Sequence, residues 1–319
     1  MDTGQPPALD TDAVDALSAP ESTVSVLVPA STSNLGAGFD CFGIALDLWV
    51  EARLVPGEGP PTYTGTLAGM TPDRDIVSKL LLQVPSLDNH RLELHSEIPV
   101  ASGLGSSAAA TVAGLTLAAL LRGEHPDKDA VYHETVRREG HPDNAGPAVY
   151  GGAVLAVRWS GPNDAEDTEP RTVGVDAHLG FALAVPESGI DTADARRLLP
   201  ENVGRSLAVG QASRAAALVT GLLQGDGDLI AVGMEDLIGT PARSGLIKGY
   251  EAAHGAGIEA GAFGVTISGS GASLVGITLA DRAQGVAEAM ARALGRSGNP
   301  ARAMAPRMVS TGVSWRRDD

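Results

Sequence analysis

The apolar and polar positions of the chain follow two patterns. Short stretches that alternate, or that are rich in β-branched residues, predict strands. They cover residues 23–28, 44–54, 91–98, 149–159, 179–185, 264–267, 274–277 and 308–315. Longer stretches with apolar residues at helical spacing predict helices. They cover residues 73–84, 108–121, 127–139, 203–223, 229–237, 245–256 and 281–294. Because strands and helices mix without a regular βαβ rhythm, the pattern predicts an α+β fold.

The polar segments between these elements indicate the domain organisation. Residues 1–22 are rich in Asp, Ala and Pro without lasting periodicity, so they are predicted to form a mobile acidic tail. Residues 161–171 are acidic and polar with two prolines, which is typical of a surface hairpin or a linker. A chain of 319 residues is long enough for about two domains. The sequence therefore predicts an N-terminal domain over residues 23–165 and a C-terminal domain over residues 166–319.

Composition argues against several classes of function. A formal net charge of −16 argues against binding to nucleic-acid phosphates. No apolar run approaches the ~20 residues of a membrane helix, and the N-terminal stretch lacks the basic start and apolar core of a signal peptide. The single cysteine, Cys41, is expected to be a small buried apolar residue. Because one cysteine allows no disulfide within the chain, a cytoplasmic location is favoured.

The charged residues are unusual in their ratio of arginine to lysine as well as in their net charge. The chain has 20 arginines and 3 lysines, and its acidic residues are spread along the whole length. A net charge far from zero keeps a protein soluble at the cost of self-repulsion, a property that halophilic proteins use. Adaptation to high salt is therefore one hypothesis, and an ordinary acidic cytosolic protein is the alternative.

The clearest candidate for chemistry is the glycine-rich stretch at residues 99–110. Gly103 and Gly105 permit close backbone approaches, and Ser106 or Ser107 is expected to be the N-cap of the apolar helix that follows. The free N–H groups and the dipole at such a helix start suit a phosphate. The stretch has no lysine, so it is not a Walker A loop. The alternative is a glycine-rich turn with a serine cap and no ligand.

Two other polar, glycine-containing loops follow predicted strands, at residues 31–40 and 268–271. A fourth polar segment, residues 141–144, interrupts the chain after a predicted helix. Each loop alone is weak support for a site, because structural turns use the same residue types. Several strand-end loops together commonly form a cleft, so the four segments are expected to meet.

The four segments together resemble the GHMP kinase superfamily and, within it, the homoserine kinase family. The matching stretches are residues 29–40 (PASTSNLGAGFD), 99–108 (PVASGLGSSA), 140–148 (GHPDNAGPA) and 266–271 (TISGSG). The resemblance implies an N-terminal domain like the second domain of ribosomal protein S5 and a ferredoxin-like C-terminal domain. It also implies transfer of the ATP γ-phosphoryl group to the side-chain hydroxyl of L-homoserine, in threonine biosynthesis, and a homodimer. Ala101 and Ala272 depart from the family pattern without removing a functional group.

The resemblance implies which residues bind ATP and Mg²⁺. The residues expected at the ATP phosphates are Pro99, Val100, Ala101, Ser102, Gly103, Leu104, Gly105, Ser106 and Ser107. Mg²⁺ prefers hard oxygen ligands beside phosphate oxygens. The expected protein ligands are Ser107, with Ser106 as the alternative, and Glu139, with Glu134 as the alternative. Residues 73–77 are expected near the adenine on their position alone.

The resemblance also implies the acceptor site. The residues expected around homoserine are Asn34, Asp40, His141, Asn144, Thr192, Arg196 and Arg243. Arginines suit the acceptor's α-carboxylate because they bind carboxylates in a bidentate manner. Asn144, Asp143 and Arg196 are the candidate catalytic residues. Asp143 is either a base or an orienting group for Asn144. No lysine lies in the four motifs, which favours catalysis by orientation and charge stabilisation.

Three other functions stay open on the sequence. One is another GHMP kinase, of the shikimate or mevalonate type, which shares the phosphate loop and the third glycine motif. A second is a non-catalytic sensor that keeps the fold and binds ATP without turnover. A third is an α+β protein whose glycine loops are only turns.

Overall fold

A computed structural model of the protein describes residues 23–82, 84, 90–159 and 168–318. The predicted tail at residues 1–22 and the predicted boundary after residue 165 lie outside these described residues. Within them, no helix has the length together with the apolar character that a membrane-spanning helix needs.

Among the described residues, the first sheet has seven strands and forms the body of the N-terminal part. Its strands are β1 (Thr23–Ser33), β2 (Phe42–Pro56), β3 (Thr62–Gly65), β4 (His90–Ser96), β5 (Ala153–Arg158), β6 (Thr168–Val173) and β11 (Ser314–Asp318). The order is β11-β1-β2-β4-β3, and β5 pairs with both β2 and β6. All of these pairs are antiparallel except β3 with β4. The long strand β2 holds the sheet together because it pairs with β1, β4 and β5.

In the part of the chain that the structure describes, this sheet is accompanied by helices α1 (Ile76–Leu81), α2 (Ser106–Leu121), α3 (Lys128–Glu139) and α4 (Ala145–Tyr150). The central helix, α2, packs against β1, β2 and the other three helices. It is apolar on nearly all sides, with buried residues such as Val112 and Leu117, and this explains why it lies inside the domain. Its N-terminus therefore has a fixed position beneath the site.

The second sheet has four antiparallel strands in the order β10-β7-β9-β8. The strands are β7 (Leu179–Pro186), β8 (Gly264–Ile267), β9 (Leu274–Leu279) and β10 (Ala301–Met304). The helices of this half are α5 (Thr192–Arg197), α6 (Arg205–Gln224), α7 (Gly227–Met234), α8 (Gly239–Arg243), α9 (Tyr250–Glu259) and α10 (Ala283–Arg296). The strand order and the β-α-β-β-α-β sequence of elements make this a ferredoxin-like arrangement.

Strand β7 shows how the second sheet joins two cores. Phe181, Leu183 and Val185 belong to the large core that also contains the first sheet. Ala182 and Ala184 belong to a second core, under α9 and α10. Because successive side chains of a strand point to opposite faces, β7 is buried on both sides.

The α+β class and the ferredoxin-like C-terminal part predicted from the sequence are confirmed. The division of the chain at residue 165 stays a prediction, but the two sheets do not separate there. β6 and β11 follow that point in the chain and yet belong to the first sheet, because they pair with β5 and β1. The last strand was predicted at residues 308–315. It begins at Ser314, and Met308 forms only an isolated bridge with Leu46.

Candidate active site

A cavity of about 600 Å³ lies where loops of the two halves meet. Most residues that the sequence analysis selected line it. From the phosphate stretch these are Val100, Ala101, Ser102, Gly103, Gly105, Ser106 and Ser107. From the other segments they are Asn34, Asp40, Glu139, His141, Asn144, Thr192, Arg196 and Arg243. Pro99, Leu104, Asp143 and Glu134 are not among the lining residues. The motifs are therefore close in space, as expected, although their roles stay predictions.

The phosphate stretch is a loop that leads directly into α2. The Ser102 hydroxyl donates to the carbonyl of Pro99 at 2.7 Å, which closes the loop on itself. The predicted serine N-cap is wrong. The cap residue is Gly105, in the left-handed region at φ 69°, and no side chain caps the helix. Ser106 and Ser107 instead occupy the first turn, so that N–H groups at the start of α2 have no side-chain acceptor and are available to an anion.

Gly105 has a second constraint from its neighbours. A Cβ at this position would lie 2.1 Å from the Ser31 Oγ and 3.0 Å from the Asn144 Oδ1. Those two atoms are hydrogen-bonded to each other at 2.8 Å, with the Ser31 hydroxyl donating. The Ser31 N–H also donates to the carbonyl of Leu104 at 3.2 Å. The first motif, the phosphate loop and Asn144 thus make contact at a point that only glycine fits.

The third glycine motif joins the same cluster from the C-terminal half. The Ser268 hydroxyl donates to the carbonyl of Gly103 at 2.8 Å and lies 2.9 Å from the Thr32 hydroxyl. The N–H of Gly269 donates to the carbonyl of Ser33 at 2.8 Å. The expectation that the three glycine loops meet is confirmed by these bonds.

An ion pair lies across the cavity between the two halves. The Arg196 guanidinium donates to both carboxylate oxygens of Asp40, at 2.8 and 3.1 Å. The Asp40 N–H donates to the Asn34 Oδ1 at 2.7 Å, so Asn34 fixes the loop that carries the carboxylate. The Thr192 hydroxyl, also on α5, lies 3.1 Å from that of Ser270. This group presents one fixed negative and one fixed positive charge to a ligand.

Arg243 is the more buried of the two arginines, with only 3 % of its surface exposed. Its Nε donates to the carbonyl of Gly239 at 3.2 Å, and its Nη1 donates to that of Gly269 at 3.1 Å. The guanidinium lies over the ring of Phe39, 5.0 Å from the ring centroid. Phe39 lines the cavity and was not selected from the sequence, although it lies inside the first motif beside Asp40.

His141 and the buried Asp143 form a pair, with Nδ1 and Oδ1 2.6 Å apart. Burial lowers the pKa of His141, but the charge of Asp143 and its hydrogen bond together act more strongly, so the pKa is raised. The pKa of Asp143 is lowered, since burial raises it but His141, Ser33 and Arg196 together act more strongly. The same Oδ1 accepts the N–H of Asn144 at 3.0 Å. Asp143 thus contacts two residues that line the cavity without lining it itself.

Three oxygen-bearing side chains meet beside the start of α2. The Ser107 hydroxyl donates to the Glu139 carboxylate at 2.8 Å, and the Thr111 hydroxyl donates to the same oxygen at 3.0 Å. Glu134, the alternative metal ligand, is instead bound to Arg137 and Arg138. In the described part of the chain, no group of three or more His, Cys, Asp or Glu residues could bind a metal alone. The pair Ser107–Glu139 fits a hard cation that takes further oxygens from phosphate and water.

The rest of the lining is largely apolar and comes from the first sheet and α1. Its members include Val50, Leu67, Met70, Val77 and Leu94. Single apolar residues in strands and turns carry no motif, so most of these lining residues could not be recognised from the sequence.

Asp75 fixes the start of α1 in this part of the cavity, because its carboxylate accepts the N–H groups of Val77 and Ser78. The Tyr63 hydroxyl donates to the same carboxylate at 3.3 Å. Residues 75–77, within the segment expected near the adenine, thus line the cavity.

Comparisons with known proteins agree with this geometry. The sequence matches the family models described as GHMP kinases N terminal domain, over residues 75–152, and GHMP kinases C terminal, over residues 218–296. It is 38% identical over 282 residues to a homoserine kinase of Synechococcus sp., covering 84% of this chain and 89% of that protein. The chain belongs to the homoserine kinase family.

Two further comparisons extend this family membership over nearly the whole chain. A homoserine kinase of Parasynechococcus marenigrum is 35% identical over 311 residues, which is 93% of this chain and 96% of that one. The crystal structure of homoserine kinase from Cytophaga hutchinsonii is 30% identical. It covers 92% of this chain and 97% of its own, with a TM-score of 0.74.

Proposed function

We propose that the protein transfers the γ-phosphoryl group of ATP to the side-chain hydroxyl of L-homoserine, giving O-phospho-L-homoserine for threonine biosynthesis. The observation that carries this proposal is the position of the Asp40–Arg196 pair and Arg243 in the same cavity as the start of α2. The helix start that suits phosphate and the charged side chains that suit a zwitterionic amino acid then line the same cavity. Homology to curated homoserine kinases over most of the chain supports the same function.

ATP binding is assigned to the glycine loop and the apolar lining. The backbone N–H groups at the start of α2 bind the phosphates, assisted by the helix dipole. The apolar set that includes Val50, Leu67 and Leu94 offers a surface for the adenine ring, and residues 73–77 lie at its edge. Apolar side chains are sufficient at this end of the cavity, because burial of an aromatic base against them is favourable.

Homoserine binding is assigned to the charged residues around Asp40. The carboxylate of Asp40 suits the α-ammonium or the hydroxyl end, while Arg196 and Arg243 suit the α-carboxylate. Asn34, Thr192, His141 and Asn144 complete the acceptor site with polar groups. In this assignment the acceptor's charges fix its orientation, and its hydroxyl is directed towards the phosphate loop.

Ser107 and Glu139 would hold Mg²⁺ beside the ATP phosphates. When bound, the ion neutralises charge on the phosphate oxygens. The Glu139 carboxylate is fixed for this role by the hydroxyls of Ser107 and Thr111. Glu134 is the less suitable candidate, because two arginines already neutralise it.

Catalysis is assigned to positioning and charge stabilisation without a dedicated strong base. Asp143 is buried away from the cavity and orients Asn144 through its N–H and His141 through its ring. Asn144 and Arg196 face the ligand space, where they can orient the acceptor and stabilise charge on the transferred group. Correct placement of reactants alone supplies a large part of such a barrier reduction.

The test is ADP release with L-homoserine, shikimate, mevalonate or no acceptor. Turnover with homoserine alone is the expected result. Turnover with shikimate or mevalonate instead would favour the other GHMP kinase types. ATP binding without turnover on any acceptor would favour a non-catalytic sensor. The homodimer, the cytoplasmic location and adaptation to high salt stay predictions beside this function.

A further inference from the structure

A buried carboxylate lies behind the acceptor site, outside the four motifs. Asp236 is 8 % exposed and does not line the cavity. Its Oδ1 accepts from the Gln211 Nε2 and from the N–H of Ile238, each at 2.9 Å. Its Oδ2 accepts the N–H of Thr240. Burial of a carboxylate is unfavourable unless its oxygens accept hydrogen bonds, and these three donors supply them to Asp236.

Gln211 connects this carboxylate to the first motif. It is 9 % exposed on α6, a helix whose other residues are mostly exposed or half-buried. Its Oε1 accepts the N–H of Leu237 at 3.0 Å. Its Nε2 donates to Asp236 and also approaches the carbonyl of Ala37 at 3.4 Å. Asp236 and Gln211 thus link α6, the loop that carries Phe39 and Asp40, and the chain that enters α8.

The same pair adjoins Arg243 at the other end of α8. A Cβ built on Gly239 would lie 2.6 Å from the Arg243 Nη2 and 2.9 Å from the Asp236 Oδ2. The guanidinium and the carboxylate therefore both border the space beside Gly239. Burial lowers the pKa of Arg243, and Asp236 is the leading charge that opposes this effect. The carbonyls of Gly239 and Gly269 hold the guanidinium by hydrogen bonds, and Asp236 supplies a negative charge nearby.

We propose that Asp236, supported by Gln211, is a positioning residue that fixes α8 and the Arg243 guanidinium for the carboxylate of the acceptor. The inference rests on the proposed function, because it assigns a carboxylate-bearing acceptor to Arg243. Asp236 acts through Arg243 and touches neither substrate. Its loss is therefore expected to weaken acceptor binding while ATP binding is kept.

The test is the Asp236→Asn variant, which puts an NH₂ group in place of an oxygen that now accepts an N–H. The KM for homoserine should rise about tenfold or more, as for loss of a hydrogen bond to a charged group. The KM for ATP and kcat should stay within about twofold, because the phosphate loop is not in this network. The matched control is Asp226→Asn. Asp226 is the exposed N-cap of α7, where its carboxylate accepts the N–H groups of Asp228 and Leu229, and it does not line the cavity. The control should change none of the three constants.

A double-mutant cycle separates positioning from a general loss of structure. Arg243→Ala alone should raise the KM for homoserine, and adding Asp236→Asn to it should raise that KM no further. If Asp236→Asn does not fold, Gln211→Met removes the supporting amide and should shift the same constant. An unchanged KM for homoserine in the variant, or effects that multiply in the cycle, would overturn the inference. No turnover of homoserine by the wild-type protein would overturn the proposed function itself. The failure of the inference and the failure of the proposed function are therefore distinguishable.

Discussion

The constraint on Gly105 leads to a quantitative prediction, because the same helix carries a matched control. Gly105 precedes α2 at φ +69°, and Gly123 follows it at φ +71°. An alanine costs ~1–2 kcal/mol in this left-handed region at either site. At Gly123 a new Cβ meets nothing within 4 Å, whereas at Gly105 it meets the Ser31 hydroxyl at 2.1 Å. Relief of that contact breaks the buried Ser31–Asn144 hydrogen bond, which costs a further ~1–3 kcal/mol.

Gly105→Ala should therefore lower the free energy of unfolding by about 2–5 kcal/mol, against about 1–2 for Gly123→Ala. Ordinary contact with a Cβ begins near 3.4 Å. The phosphate loop or Ser31, which is hydrogen-bonded to Asn144, must therefore move by about 1 Å, and kcat/KM should fall by about 10² or more. Gly123→Ala should keep kcat/KM within about twofold. Urea unfolding and steady-state ADP release measure both effects. Equal kcat/KM values in the two variants would refute the assigned role of this contact.

The remaining predictions concern the metal, the His141–Asp143 pair and the surface charge. Glu139→Gln should raise the Mg²⁺ concentration that gives half-maximal rate about tenfold or more, and high Mg²⁺ should restore the rate. Glu134→Gln should leave this Mg²⁺ dependence unchanged, and equal responses of the two variants would refute Glu139 as the ligand. Because the pKa of His141 is raised above 6.5, its pair with Asp143 stabilises the fold fully below pH 6.5 and loses that contribution as pH rises through the folded-state pKa. The difference in unfolding free energy between wild type and Asp143→Asn should therefore be larger at about pH 5.5 than at about pH 8.5. The phosphoryl-transfer step of that variant should fall by less than ~10³-fold, and a larger loss would indicate a base. Finally, dilution from high salt into low salt should unfold the protein if the −16 net charge reflects salt adaptation, and unchanged stability there would reject that hypothesis.

The sequence predicted those parts of the fold that depend on local pattern. α2 was found because its apolar run and glycine-rich start lie next to each other in the chain. Its cap was misassigned, because the choice of Gly105 depends on Ser31, more than 70 residues away. β3 was missed because four mostly exposed residues form a strand only by pairing with β4. The last strand was shifted for the same reason, since its ladder is set by the partner Leu27 opposite Ser314.

In the candidate site, too, residues within a local motif were predicted and residues brought together only by folding were missed. Asp40, Asn144 and Arg243 were selected because each lies in a recognisable local segment. Asp236 and Gln211 were missed, because a single Asp and a single Gln on separate elements have no pattern in common. Their relation arises only when α6 packs beside the first motif. Buried residues that hold binding residues in place without lining the cavity are thus the hardest to predict from a single sequence.

The charge arrangement in the cavity also bears on the choice among acceptors. Asp40 and Arg196 neutralise each other in the structure described. A ligand with a carboxylate and no ammonium, such as shikimate or mevalonate, would draw Arg196 away and leave Asp40 without its partner. An unpaired, partly buried carboxylate is unfavourable, so that exchange opposes binding. Homoserine has both charges and can satisfy Asp40 and Arg196 together. The acceptor series therefore tests the pairing of Asp40 with Arg196 directly, because this pairing favours a zwitterion over either simple acid.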